Sequence, residues 1–87
     1  MSPTVHALRN EIRVAVGRYE RELSTDFTKE SLAAICAALD REAGEPLPPT
    51  GEMRATIREA VGIDSEDPER SFRKGDLQEI ATALRGD

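Results

Sequence analysis

The sequence has few of the residues that small proteins use for chemistry or for covalent stability. It contains no tryptophan, three aromatic residues, one cysteine and one histidine among 87 residues. A single cysteine excludes an intramolecular disulfide, and one cysteine with one histidine cannot supply a cysteine–histidine metal cluster. The chain also lacks a nucleophile–base set and a glycine-rich phosphate loop. We therefore expect neither enzymatic activity nor a cofactor.

Long apolar runs and a secretory opening are also missing. No segment approaches the ~18 apolar residues that span a bilayer, and Met1-Ser2-Pro3 lacks the basic-then-apolar start of a signal peptide. The formal net charge of −5 argues against nonspecific attraction to phosphate or anionic lipid. We expect a soluble cytoplasmic protein with no membrane partner, an aliphatic core and a buried thiol at Cys36.

The same helical segment occurs twice in the chain. Residues 8–39 align with residues 53–84 without a gap, at a constant offset of 45, and twelve of the 32 aligned positions are identical. Such self-similarity predicts a duplicated unit whose halves bury each other's apolar faces. We predict an all-α, compact four-helix domain made of two helix–loop–helix units with pseudo-twofold symmetry. The single domain covers 1–87, with unit 1 at 3–40, a proline-rich linker at 41–50 and unit 2 at 51–85.

Apolar periodicity places the first helix of each unit. In unit 1 the apolar spacing continues past Gly17, so we predict a helix that begins at its N-cap Ser2 and ends near Leu23. In unit 2 the corresponding Gly62 is soon followed by Pro68, which predicts that this helix ends at the glycine. The two copies are therefore expected to differ after their shared glycine.

The second helix of each unit follows a phenylalanine. Thr28 is a favourable N-cap, which puts Phe27 and Leu32 at the two positions of a hydrophobic staple. Phe72 and Leu77 repeat this spacing in unit 2. The phenylalanines are therefore interpreted as buried anchors of the helix starts and not as platforms for base stacking.

Six cations recur in both copies although local helix energetics oppose them. They are Arg9/Arg54, Arg13/Arg58 and Lys29/Lys74. Arginines four residues apart on one helix repel by about 0.2–0.5 kcal/mol per pair, and cations are disfavoured in the first turn of a helix. Either the arginines cover the apolar stripe and pair with acids such as Asp40, Asp76 or Glu79, or they present cationic patches to a phosphate or an acidic protein surface.

Two segments of unit 2 combine a helix that ends in glycine plus an apolar residue, a loop, and a basic residue before a leucine-rich helix. They are IREAVGI at 57–63 and FRKGDLQEI at 72–80. This arrangement resembles the helix–extended loop–helix modules of SAP domains and of the N-terminal domain of the terminator Rho. The resemblance covers about 30 residues of unit 2 and, more loosely, 12–39. It implies nucleic-acid contact through Arg70, Arg73 and Lys74.

Tandem helix–loop–helix units also invite comparison with calcium-binding hands. A hand that starts at Asp64 would have no glycine at its sixth position and would end at Gly75 instead of a bidentate glutamate. We therefore expect no metal site in this loop.

These patterns favour a binding module over an enzyme. We expect a non-enzymatic adaptor or regulator that binds a protein and could form a homodimer. The alternative is DNA or RNA binding through the repeated cations, and an acidic mimic of nucleic acid is a third possibility that no patterned acid stripe supports. The candidate residues for an anionic partner are Arg9, Arg13, Lys29, Arg54, Arg58, Arg70, Arg73 and Lys74.

Overall fold

The computed structural model describes residues 4–23 and 25–86, and these residues form four α-helices and no strand. The helices are α1 (Val5–Ala15), α2 (Lys29–Ala38), α3 (Thr50–Val61) and α4 (Lys74–Arg85). The predicted all-α, four-helix fold is confirmed. None of the helices in this part of the chain has the length and apolar character needed to cross a membrane.

The start of α1 is capped by Thr4, whose hydroxyl accepts a hydrogen bond from the N–H of Ala7 at 3.0 Å. The N-cap that we predicted, Ser2, lies outside the described residues. Thr50, the last residue of the predicted linker, already begins α3 after the N-cap Pro49.

The prediction that the first helix runs to Leu23 is wrong. The helix ends at Ala15, and Gly17 has a φ of +81°, a left-handed conformation that ends helices. The apolar spacing beyond this glycine belongs to a loop, where Tyr19 is 91% and Leu23 is 76% exposed. Periodicity misled the prediction because it counts apolar residues without knowing whether the backbone is still helical.

The two glycines after the first helices act in the same way. Gly62 has a φ of +79° and ends α3 as predicted. In both copies the N–H that follows the glycine donates to the carbonyl oxygen five residues earlier, which is the closing bond of a Schellman turn. The bonds are Arg18 to Arg13 at 2.7 Å and Ile63 to Arg58 at 2.8 Å. The predicted difference between the copies at this point is therefore wrong.

The second helices are capped by opposite halves of a capping box. Thr28 caps α2 as predicted, since its hydroxyl accepts from the N–H of Ser31 at 3.2 Å, and Phe27 before it is buried. In α4 the capping side chain belongs to the third residue of the helix, Asp76. The Asp76 carboxylate accepts from the N–H of Arg73 at 3.0 Å.

Helices of one unit pack chiefly against helices of the other. The main contacts join α1 to α4 and α2 to α3, with a smaller contact between α3 and α4. All four helices contribute to one buried cluster of mainly aliphatic side chains. Its helical members are Leu8, Ile12, Leu32, Ile35, Cys36, Met53, Ile57, Leu77, Ile80 and Ala81. Each unit therefore covers the apolar face of the other and leaves the loops between its own helices at the surface.

Candidate functional site

Two of the candidate cations are buried in the core. Arg13 and Arg58 are each 1% exposed, and each occupies the same position in its copy of the repeat. Their guanidinium carbons lie 5.3 Å from the ring centre of Phe27 and 4.8 Å from that of Phe72. The two rings pack edge to face at 6.2 Å, so these side chains form one cluster across the units. Cation–π contacts of desolvated arginines contribute on the order of 2 kcal/mol.

Arg13 holds the loop of residues 18–26, which we call loop 1. Its guanidinium donates to the carbonyl oxygens of Thr25 at 2.8 Å and Asp26 at 3.4 Å, and to the side-chain oxygen of Asn10 at 2.8 Å. No carboxylate pairs with it among the described residues. Burial lowers the pKa of Arg13, and the positive charges of two other arginines lower it further.

Arg58 holds the equivalent loop of residues 63–71, which we call loop 2. It donates to the carbonyl oxygen of Pro68, to that of Arg70 at 2.7 Å and to that of Ser71 at 3.1 Å. It also donates to the carboxylate of Asp76 at 3.1 Å, which makes the pair a partly buried salt bridge. Asp76 is one of the acids that the structural interpretation of the repeated arginines named.

The loop contacts of the buried arginines recur at the offset of the repeat. Positions 25 and 70 are equivalent, as are 26 and 71, and an arginine of the same unit binds the carbonyl of each. A guanidinium offers five donors in a planar fork, and a hydrogen bond to a charged group contributes about 1.5–3 kcal/mol. This contribution exceeds the few tenths of a kcal/mol of like-charge repulsion along the helix. Loop anchoring therefore explains why both copies have arginine here.

Arg54 joins the two loops. It donates to the carbonyl oxygen of Glu69 in loop 2 at 2.9 Å and lies 3.9 Å from the carboxylate of Asp26 in loop 1. The hydroxyl of Ser71 donates to the same carboxylate at 2.8 Å. Loops 1 and 2 therefore adjoin, and we call the surface that they form the loop face.

The carboxylate at this junction is stabilised in its charged form. Burial raises the pKa of Asp26, but hydrogen bonds from the Ser71 hydroxyl and the Phe27 N–H, together with the charges of Arg54 and Arg9, lower it by more. The net pKa therefore lies below its usual value. The negative charge of Asp26 stabilises the junction, and protonation of this carboxylate at low pH would remove that charge.

Two other candidate residues lie in loop 2 or just after it. Arg70 and Arg73 are exposed, and they line a cleft together with the acids of the loop, Asp64, Glu66 and Asp67. The cleft therefore carries charges of both signs. A phosphate approaching these arginines would also meet the three carboxylates.

The remaining candidates are spread over three helices. Lys29 is exposed at the start of α2, Lys74 is half-buried at the start of α4, and Arg9 is half-buried on α1. The structure therefore gathers Arg13, Arg54 and Arg58 at the loops, and it does not gather all the repeated cations on one surface.

Three residues were not identified from the sequence as part of the candidate site. One of them supports loop 1, and the other two lie on it. Asn10 donates to the carbonyl oxygen of Arg21 at 3.0 Å and accepts from its N–H at 2.9 Å. Tyr19 and Leu23 project from the same loop into solvent. The signal that could have revealed the loop is Gly17, since its equivalent Gly62 was already identified as a helix-ending residue.

The described residues contain no group of three or more histidine, cysteine, aspartate or glutamate side chains placed to hold a metal ion. The predicted burial of Cys36 is confirmed at 1% exposure, and burial raises the pKa of its thiol. A raised pKa keeps the sulfur in its unreactive thiol form at neutral pH.

No protein-family model, curated protein or solved structure matches this chain. The resemblance of residues 57–63 and 72–80 to SAP and Rho N-terminal modules stays a prediction.

Proposed function

We propose that this protein is a non-enzymatic protein-interaction module, an adaptor or regulator, that binds its partner through the loop face. The observation that carries the proposal is the exposure of two large side chains on loop 1, Tyr19 at 91% and Leu23 at 76%. Val14 in the last turn of α1 is also 56% exposed. Tyrosine is enriched among the residues that dominate protein interfaces, because it buries a large area and keeps a polar end.

The backbone that carries these side chains is anchored. Asn10 binds both backbone polar groups of Arg21, which lies midway between Tyr19 and Leu23. Arg13 holds the end of the same loop through the carbonyl of Thr25. A loop that is ordered before binding loses less conformational entropy when a partner arrives. This supports loop 1 as a contact surface.

The charge of the loop face favours a protein over a nucleic acid. Loops 1 and 2 together contain seven acids and three arginines, so they hold −4 of the net charge of −5. Asp64, Glu66 and Asp67 of loop 2 are exposed or line its cleft and take part in no ion pair within the described residues. Such a surface repels phosphate and attracts basic protein groups.

Replacing Tyr19 by a photo-crosslinking amino acid, in cells that express the protein, tests this proposal. We expect a discrete protein adduct from the Tyr19 position, and we expect Leu23→Ser in the same chain to weaken it strongly. The matched control carries the crosslinker at Gln78, an exposed position on α4. Absence of an adduct from position 19, or the same adducts from both positions, would overturn the proposal.

DNA or RNA binding is the second candidate function. It is favoured by the exposure of Arg70 and Arg73, two of the positions that the family resemblance implies. Labelled DNA and RNA should be titrated at two salt concentrations. Affinity that falls steeply with salt and is weakened by Arg73→Ala and Lys74→Ala, but not by Arg41→Ala in the linker, would favour this function. No binding at low salt would exclude it.

A further inference from the structure

The contacts within a unit and between units are of different kinds. Within a unit, a buried arginine binds the loop between the two helices. Between units, the helices themselves pack, α1 on α4 and α2 on α3. The inter-unit contacts also include the Phe27–Phe72 pair at 6.2 Å, the Ser71–Asp26 hydrogen bond at 2.8 Å and the Arg85–Glu11 ion pair at 2.5 Å. The helix packing that forms the core is therefore mostly packing of one unit on the other.

The linker contributes little to this pairing. Residues 42–48 of the described chain form no hydrogen bond with either unit, and most of them are exposed. Ala43 is the linker side chain that packs against the core. The linker therefore favours pairing within one chain mainly through proximity and little through contacts of its own.

We infer that two copies of this chain form a domain-swapped dimer. In this dimer, unit 1 of one molecule pairs with unit 2 of the other. Every inter-unit contact of the monomer is formed again in each half of this dimer. The main loss is the local concentration supplied by the linker, which is on the order of 1 mM where a short connection spans the two sites.

The affinity of this pairing follows from the stability of the fold. For a chain of this length, the population of the folded state exceeds that of the unfolded state by a factor on the order of 10³ or more. Multiplying the local concentration by the inverse of that factor gives a Kd on the order of 1 µM or lower for separate units. Intact chains stay monomeric at lower concentrations than the local one, because each unit 1 already has its own unit 2 beside it.

The swapped dimer would carry two complete loop faces. In each of them Asp26 comes from one copy, whereas Arg54 and Ser71 come from the other. A partner with two binding segments would then bind with avidity. This use of the dimer rests on the proposed function, but the pairing of units does not.

Complementation between two unfolded full-length variants tests the pairing. Ile12 and Ile57 are equivalent core positions with 0% exposure. Ile12→Asp disables unit 1 and Ile57→Asp disables unit 2, so each variant alone should lose most of its helical circular dichroism signal. Mixed at about 100 µM each, they should form a dimer with one intact domain, and recover about half of the native helical signal with a cooperative thermal transition.

The matched control mixes Ile12→Asp with Leu32→Asp. Leu32 is also 0% exposed but lies in unit 1, so this mixture contains no intact unit 1 and should not recover. Recovery in neither mixture, or equal recovery in both, would overturn the inference.

The wild-type chain gives a second measurement. Refolding at about 1 mM should produce a dimeric fraction on sizing, whereas refolding at about 10 µM should give monomer alone. Monomer at both concentrations would contradict the inference. Both readouts are independent of crosslinking at Tyr19, so a failed adduct there would count against the proposed function and not against the pairing.

Discussion

Units 1 and 2 share a buried framework and differ in the polar groups that complete it. In both, a guanidinium lies against a phenylalanine and under a loop that follows a left-handed glycine. Arg58 pairs with Asp76, whereas the equivalent of Asp76 in unit 1 is Ser31. Arg13 binds the amide oxygen of Asn10 instead. Both copies therefore have the same donor, and the side-chain acceptor differs.

The loops differ more than the framework that holds them. Loop 1 presents Tyr19 and Leu23, and the equivalent positions of loop 2 are Asp64 and Pro68. Both loops have the same number of residues between their glycine and their phenylalanine. Contacts to backbone carbonyls constrain the shape of a loop but not its outward side chains. The comparison shows how two equivalent loops can acquire different surfaces without changing the fold.

Removing the buried arginines should have the largest effect on stability. Arg58→Ala leaves the partly exposed Asp76 carboxylate and several loop carbonyls without their buried donor, so we expect a loss of about 3 kcal/mol, the lower end for a broken buried pair. Arg13→Ala leaves no carboxylate behind and should cost about 2–3 kcal/mol. Urea unfolding followed by circular dichroism measures both. The exposed Arg41→Ala is the control and should change stability by less than about 0.5 kcal/mol. Equal effects for all three variants would refute loop anchoring.

Replacing Asp76 by serine, the residue at the equivalent position of unit 1, should have the next largest effect on stability. Asp76→Ser removes both the salt bridge to Arg58 at 3.1 Å and the cap on the N–H of Arg73 at 3.0 Å. We expect a loss of about 2 kcal/mol in urea unfolding, since hydrogen bonds to charged groups contribute about 1.5–3 kcal/mol. In a chain that already carries Arg58→Met the further loss should be smaller, which a double-mutant cycle measures. Strict additivity would show that the two residues do not act together.

Replacing either glycine by alanine should change the stability by the same amount. The sign of the change at Gly17 distinguishes the observed helix end from the predicted one. Gly17→Ala and Gly62→Ala should each destabilise by about 1 kcal/mol, because both residues have φ near +80°. A Cβ at either position would meet no non-neighbouring atom within 4 Å, so crowding does not contribute. If the first helix continued to Leu23, Gly17→Ala would instead stabilise by about 1 kcal/mol. Thermal unfolding of the two variants distinguishes these outcomes.

The smallest expected effect concerns acid. The pKa of Asp26 is lower in the folded chain than in the unfolded one, so its contribution is present above the unfolded value of about 3.9 and is lost as pH falls through the folded value. Asp26→Asn should therefore be less stable than wild type at pH 7, and the difference should shrink below pH ~4. Its carboxylate is 37% exposed, so solvent screening keeps the effect small. An unchanged difference across this range would contradict the shift.

The sequence predicted the four helices and several of their ends, because those features depend on local chemistry. Thr28 is a capping residue wherever a helix follows it, and Gly62 is followed by residues that do not continue an apolar stripe. Gly17 was misjudged because Leu23 happens to maintain the helical spacing. The role of Arg13 was out of reach for another reason. Its main acceptors are backbone carbonyls, which every residue has and which no sequence pattern reveals.

The central claim is that Arg13 and Arg58 recur because each anchors the loop of its own unit. Nuclear magnetic resonance of the guanidinium hydrogens tests it most directly. Both residues should show separate Nη resonances that exchange with water at least about tenfold more slowly than those of the exposed Arg18 and Arg41. Averaged resonances and exchange as fast as in Arg18 would contradict the claim.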